Sequence, residues 1–185
     1  IGIVLVELVV FALVVVVAAI DYFVSDEYHS PADSPQRFVE TLIRLPTIRL
    51  CYQPVDIAPP VRDLPALRNG FVTFGSFNRR EKVTPDVIAL WSRVLHAVAR
   101  SRLVLKGSFF DKADVQRSIL DAFAAHDIVA DRLEFRGRSA HRDVLEEYGD
   151  LDIGLDTFPW NGGLTACEAL LMGVPVMALE GDRII

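Results

Sequence analysis

Residues 152–179 read DIGLDTFPWNGGLTACEALLMGVPVMAL. Asp152 to Leu155 has the apolar character of a short buried strand. Asp156 to Gly163 is a loop with a proline and two adjacent glycines. Leu164 to Met172 follows with helical spacing and is stopped by Gly173 and Pro175. Val174 to Leu179 is a second strand. A strand, a glycine-opened helix and a strand in 28 residues make a β-α-β unit, which is the building block of a parallel sheet.

The same alternation extends towards the N-terminus. Phe71 to Phe74 reads as a strand. Thr84 to Val98 reads as a helix with Thr84 as N-cap and Pro85 in its first turn. Val87, Leu90, Trp91, Val94, Leu95 and Val98 share one face of it. Strands are expected at Arg102 to Leu105 and Arg132 to Phe135. Helices are expected at Asp114 to Ala125 and at Ser139 to Tyr148, the latter capped by Ser139. The fold class is therefore α/β, a parallel sheet with helices on both faces.

Upstream the pattern changes. Pro54, Pro59, Pro60 and Pro65 interrupt 54–69, which reads as an extended linker. The expected organisation is an end piece of a preceding lobe at 1–53, the linker at 54–69, and a ligand-binding lobe at 70–185. Ser30 to Pro35 carries a turn and helix-start signal, and Gln36 to Arg44 alternates like a short amphipathic helix. Ile1 to Ile20 is apolar except for Glu7. Eleven of its 20 residues are Val or Ile, so buried strands and a membrane span are both open readings.

Composition narrows the function classes. Apolar residues are 51% and charged residues 24%, which excludes a disordered tail. A chain of this length can bury about 70% of its unfolded surface. A formal net charge of −6 argues against nucleic-acid binding, which needs a dense basic footprint. Two cysteines, Cys51 and Cys167, exclude a disulfide framework and a cysteine-based zinc site. They fit reduced thiols in a cytoplasmic protein. No His, Asp and Glu spacing suggests a metal.

In open α/β sheets, ligands bind outside the carboxyl ends of the strands. Those ends carry Asn78, Arg79, Arg80 and Lys82, then Lys106, then Arg136 and Arg138, then Asp156 to Gly163. The chain has only three lysines, and Lys82 and Lys106 both fall here. Cations collected on the rim of an acidic chain suggest an anionic ligand. Gly162 and Gly163 would let backbone N–H groups approach a phosphate at a helix N-terminus, and Thr165 adds a hydroxyl. One turn on, Glu168 suits the two hydroxyls of a ribose. The ensemble suits a nucleoside diphosphate. Phe158 and Trp160 are open between core and a wall for a base or sugar. His29, His96 and His126 read as non-catalytic, and Cys167 as a buried small apolar residue.

The residues Phe74 to Asn78 with Lys82, Asp152 to Leu170, and Met172 to Val176 resemble the protein O-GlcNAc transferase family, which includes the plant Spindly proteins. Bacterial members look most similar. The resemblance runs from about Ala19 to Asp182. It implies a GT-B glycosyltransferase, whose C-terminal Rossmann-like lobe would be 70–185 and whose preceding lobe would end within 1–53. Such enzymes use no metal or cofactor, take UDP-GlcNAc as donor and act on Ser or Thr hydroxyls of proteins. TPR repeats usually precede the catalytic lobes.

By the same resemblance, Lys82 would neutralise the donor diphosphate and stabilise departing UDP. Gly163 and Thr165 would sit at the phosphates and Glu168 at the ribose. Arg79 stands where animal members have Gln. His141 stands where they have Lys, near the uracil and phosphates. Asp21 matches an aspartate on the acceptor side. Val144 stands where animal and plant members have His, and Leu164 replaces one of a run of threonines. These differences bear on donor choice, and a transferase using another nucleotide sugar is the related alternative. A non-catalytic nucleotide-binding scaffold with the same lobe is a second alternative, and a membrane-anchored protein is a third.

Overall fold

The computed structural model describes residues 20–33 and 37–179. The apolar run at 1–19 lies outside the described residues, and so does the part of the resemblance beyond Leu179. The chain divides into two compact units, parted between Cys51 and Tyr52.

In the first unit, β1 (Tyr22–Asp26) and β2 (Thr41–Leu45) pair in parallel, with Tyr22 opposite Thr41 and Asp26 opposite Leu45. The amphipathic helix expected over Gln36 to Arg44 is not formed in the described residues, where 41–45 is a strand. The segment TLIRL begins with a β-branched residue and places apolar residues at Leu42, Ile43 and Leu45. Over five residues that pattern serves a strand as well as a helix, and pairing with β1 decides it.

Asp26 closes the turn after β1. Its carboxylate accepts bonds from the Tyr28 and His29 amides at 2.9 and 2.8 Å and from the Arg49 amide at 2.6 Å. The His29 ring lies 2.8 Å away. Burial works to raise the Asp26 carboxyl. The Arg49 and His29 amides and the His29 ring outweigh it and hold the group far below the usual carboxylate range.

The second unit is a five-stranded parallel sheet. Its strands are β3 (Thr73–Ser76), β4 (Arg102–Lys106), β5 (Leu133–Arg136), β6 (Ile153–Leu155) and β7 (Val176–Met177), in the order β5-β4-β3-β6-β7. The helices are α1 (Pro65–Asn69), α2 (Pro85–Ala97), α3 (Ala113–Ala124), α4 (His141–Tyr148) and α5 (Leu164–Leu171). Each expected strand and helix of this unit is present, with no end displaced by more than two residues. A further short turn of 3-10 helix at Arg80–Lys82 follows β3.

Helices cover both faces, and the β4 side chains show why. Leu103 and Leu105 point into one core with Val87, Trp91 and Leu95 of α2 and Ile119 and Phe123 of α3. Val104 points into the other, with Leu145 and Tyr148 of α4 and Ala169 of α5. Alternation along one strand thus serves two apolar layers, and a strand buried on both sides is continuously apolar. The Thr84 hydroxyl accepts from the Val87 amide at 3.3 Å, so the expected cap of α2 is in place.

The stretch at 54–69, expected as an extended linker, is part of the second unit and ends in α1. Val55 and Ala58 join its second core. Arg62 donates to Glu146 O at 2.7 Å and to Asp150 Oδ1 at 2.9 Å, and Ala66 N donates to Asp152 Oδ1 at 2.8 Å. Among the described residues, no helix is long and apolar enough to cross a membrane.

Leu95 is fully buried. Leu95→Ala is expected to lower unfolding stability by about 2–5 kcal/mol, measured by urea titration, while Val129→Ala at an exposed site stays within about 0.5 kcal/mol of wild type. Because the folded Asp26 carboxyl titrates below its unfolded counterpart, its contribution is present above the unfolded value of about 3.9. It is lost as pH falls through the folded value. The stability difference between wild type and Asp26→Asn should therefore be largest above about pH 4 and shrink under stronger acid. A difference that grows on acidification would refute this.

Candidate functional site

The strand order reverses between β3 and β6: from β3 the chain moves outward to β4 and β5, then returns to β6 and β7 on the other side. Neighbouring loops there lead away to opposite sides, leaving a crevice outside the carboxyl ends. The Asn78–Lys82 turn borders it from β3 and the Asp156–Gly163 loop from β6.

Asp156 organises the crevice. Its Oδ1 accepts from Thr157 N at 2.8 Å, Gly162 N at 2.8 Å and Asn78 Nδ2 at 3.1 Å, and its Oδ2 lies 2.9 Å from Gly162 N. The Thr157 hydroxyl, wholly buried, donates to Trp160 O at 2.8 Å. The loop is thereby wound around one carboxylate. Glycine at 162 leaves that winding undisturbed, because a Cβ there would stand 2.5 Å from Thr165 Oγ1 and 3.1 Å from Asp156 Oδ1, and both side chains would have to shift.

This winding turns the Asn161 carbonyl towards Lys82, whose Nζ donates to it at 2.8 Å. Burial pulls the Lys82 ammonium below the ordinary lysine value. Asp156 opposes that shift and Arg79 adds to it. Lys82 therefore stands beside the opening of α5. Gly163 is the N-cap of α5 and no side chain caps the helix. A Cβ on Gly163 would meet no atom within 4 Å, so the space over this N-terminus is open. Unpaired amides and the helix dipole favour an anion there.

On the far side of α5, Glu168 is buried and its Oε1 lies 2.7 Å from His141 Nε2. His141 is the first residue of α4 and its side chain is half-exposed. Tyr148, at the other end of α4, donates to Thr165 O at 3.0 Å. Burial pushes the Tyr148 phenol strongly up, and Glu168, Tyr52 and Asp156 push it further. It is therefore a neutral donor. Helix α4 thus touches α5 at its first turn and at Glu168.

The expected site residues separate into groups. Lys82, Gly162, Gly163 and Thr165 come together at the opening of α5, and His141 and Glu168 form a pair beside it. Asn78 is buried and engaged with Asp156 and Ser76, so it shapes the loop. Arg79 is exposed at the crevice. Asp21 lies in the first unit, where its carbonyl accepts from Thr41 N.

Lys106, expected on the rim, is 3% exposed. It donates to Gly137 O at 2.9 Å and Glu147 Oε1 at 2.8 Å. Ser139, expected to cap α4, instead donates to Glu147 Oε1 at 2.9 Å, and Ala140 takes the N-cap position. A carboxylate two turns along the same helix competes for the hydroxyl, which spacing alone does not reveal.

Phe158 packs against the first core, whereas Trp160 is 54% exposed. Both border a cavity of about 440 Å³ together with Lys82 and Thr84. The sequence reading did not assign roles to Asp156 or Tyr148. The signal for Asp156 was present, as an acid at the carboxyl end of a strand before a glycine loop. Nothing local marked Tyr148. Among the described residues, no group of three or more His, Cys, Asp or Glu could hold a metal.

The parallel sheet and its strand order are those of a lobe of the GT-B glycosyltransferase type. Among solved structures, a lysine-to-methionine mutant of the Thermobaculum terrenum O-GlcNAc transferase matches with a TM-score of 0.81 and 34% identity, over 89% of this chain and 31% of that one. A sucrose-phosphate synthase from Thermosynechococcus elongatus shares the fold at a TM-score of 0.55 and 20% identity, over 86% of this chain and 41% of that one.

Among curated proteins, the probable UDP-N-acetylglucosamine–peptide N-acetylglucosaminyltransferase SPINDLY of Eustoma exaltatum subsp. russellianum is 42% identical over 163 residues. The SPINDLY protein of Arabidopsis thaliana is 42% identical over 164 residues. Each match covers 88% of this chain and 18% of the relative. No family model matches. Most of this chain is thus homologous to a segment of the Spindly and O-GlcNAc transferase proteins, and it spans about a fifth of the length of those curated relatives.

Asp156→Asn places an amide against three donors. It is expected to lower stability by about 1–3 kcal/mol and to speed hydrogen exchange at the Thr157 and Gly162 amides. Unchanged exchange at both would contradict the role given to this carboxylate.

Proposed function

We propose that this chain is the nucleotide-sugar-binding part of a protein O-GlcNAc transferase, which moves N-acetylglucosamine from UDP-GlcNAc to Ser or Thr hydroxyls of proteins. The observation that carries the reading is the Lys82 ammonium at 2.8 Å from Asn161 O, beside an α5 N-terminus with open space over Gly163. A cation and a set of free amides facing one space suit a diphosphate. The Glu168 carboxylate with His141 offers acceptor and donor groups for the nucleoside.

The reaction proceeds with inversion and without a metal. The acceptor oxygen attacks the anomeric carbon opposite the departing group, and its proton leaves to a base. The bond from that carbon to the phosphate oxygen breaks, and UDP departs with the electron pair. Negative charge grows on the diphosphate as this bond lengthens. Lys82 and the α5 amides stabilise that charge more in the transition state than in bound donor, which is what accelerates the step. Asp21 serves on the acceptor side. The donor and a protein acceptor are the partners, nucleic acid and membrane are not, and the reaction takes place in the cytoplasm.

Calorimetric titration of UDP into the intact protein tests the reading. Wild type should bind, and Lys82→Ala should weaken binding by more than about tenfold, roughly 1.4 kcal/mol. Gly163→Ala should also weaken binding, since its methyl would enter the open space over the α5 N-terminus. Absence of UDP binding by folded wild type would overturn the proposal.

A further inference from the structure

The loop at 137–140 joins β5 to α4 and ends at His141. It has no regular secondary structure, yet two of its residues are tied down from beneath. Lys106 Nζ reaches the Gly137 carbonyl at 2.9 Å and Glu147 Oε1 at 2.8 Å. The same Glu147 oxygen accepts from Ser139 Oγ at 2.9 Å, while Oε2 lies 3.4 Å from Arg136 Nη1. One carboxylate therefore gathers the last residue of β4, the last residue of β5 and the middle of the loop. The Lys106 side chain is 4% exposed and that of Glu147 23%.

We propose that Lys106 and Glu147 are positioning residues for nucleotide binding, which act by holding the 137–140 loop so that His141 meets Glu168. This rests on the functional reading above, in which His141 and Glu168 face the nucleoside.

Three features carry it. First, a lysine in this place is not needed for the core. An ammonium loses hydration on burial, and the loss is recovered only through close polar partners. Here those partners are the loop carbonyl and Glu147. Second, Glu147 takes the Ser139 hydroxyl away from the α4 N-terminus, and α4 begins without a side-chain cap. The bond fixes the loop at the expense of the helix end. Third, the effect has a physical route to the site. Glu147 and Tyr148 are neighbours on α4. Tyr148 is bonded to Thr165 O at 3.0 Å and packs against Phe77 in a tilted pair with 4.3 Å between ring centroids. The Lys106 ammonium lies 6.0 Å from the centre of that Phe77 ring. Helix α4 is held on one side by the ion pair and on the other by α5. A change in the pair alters where His141, six residues from Glu147, meets Glu168.

The test uses the intact protein, three variants, and the combination of Glu147→Gln with His141→Ala. Glu147→Gln keeps the shape and removes the charge. Lys106→Met/Glu147→Leu removes both charges, so no unpaired ion stays buried and the fold is retained. His141→Ala removes the group through which the pair acts. In ligand-free protein, the His141 ring signal in the NMR spectrum should move in Glu147→Gln and in the double variant. With UDP, each should bind about tenfold more weakly than wild type, and in the His141→Ala background Glu147→Gln should change affinity less than about threefold.

A His141 ring signal unmoved in both folded variants, unchanged UDP affinity, or effects that simply multiply with His141→Ala would each overturn the proposal. If wild type does not bind UDP, the functional reading fails. The ring signal still decides whether the pair positions His141.

Discussion

The buried Asp156 carboxylate is what the candidate site depends on. A strand end that leads into eight loop residues leaves several amides without sheet partners, and such groups must be satisfied where water does not reach. Asp156 satisfies the amides of Thr157 and Gly162 and the side-chain amide of Asn78 together. In doing so it draws the β6 loop against the turn that follows β3. The position of Lys82, the direction of the Asn161 carbonyl and the open face of α5 all follow from that closure.

Helix α4 carries the second constraint. It presents His141 at one end to Glu168 and Tyr148 at the other to the first turn of α5. Its Glu147 binds Lys106 beneath the sheet rim. A short helix that holds two neighbours and a loop has little freedom to shift. That rigidity is what a ligand site needs if binding is not to spend free energy on ordering it. The placing of cations shows a division of labour. Lys82 is partly open and faces the crevice, whereas Lys106 is enclosed and supports the loop.

Much of the second unit was legible in the sequence because its signals are local. Trp91 and Leu95 fall on one face of α2 by their spacing, Thr84 and Pro85 mark its start, and Gly173 with Pro175 ends α5. The first unit was less legible. Thr41 to Leu45 is too short for periodicity to separate strand from helix, and pairing with β1 supplied what the residues lacked. Residues 54–69 carry prolines that suggest extension, but Arg62 and Ala66 find partners more than eighty residues away. No local pattern encodes such contacts.

The sequence by itself determined the alternation of strands and helices, the collection of cations and glycines at strand ends, and the Gly162-Gly163 opening of a helix. These follow from backbone preferences and apolar spacing within about fifteen residues. Tertiary structure decided which of those residues share a space. It joined Lys82 to Asn161 and His141 to Glu168, and it withdrew Lys106 and Asn78 into internal bonds. The reason is the parallel sheet itself. Its strand order brings β3 beside β6 across more than seventy residues of chain, so side chains remote in sequence compete for the same buried donors and acceptors. That competition is settled by distance and burial.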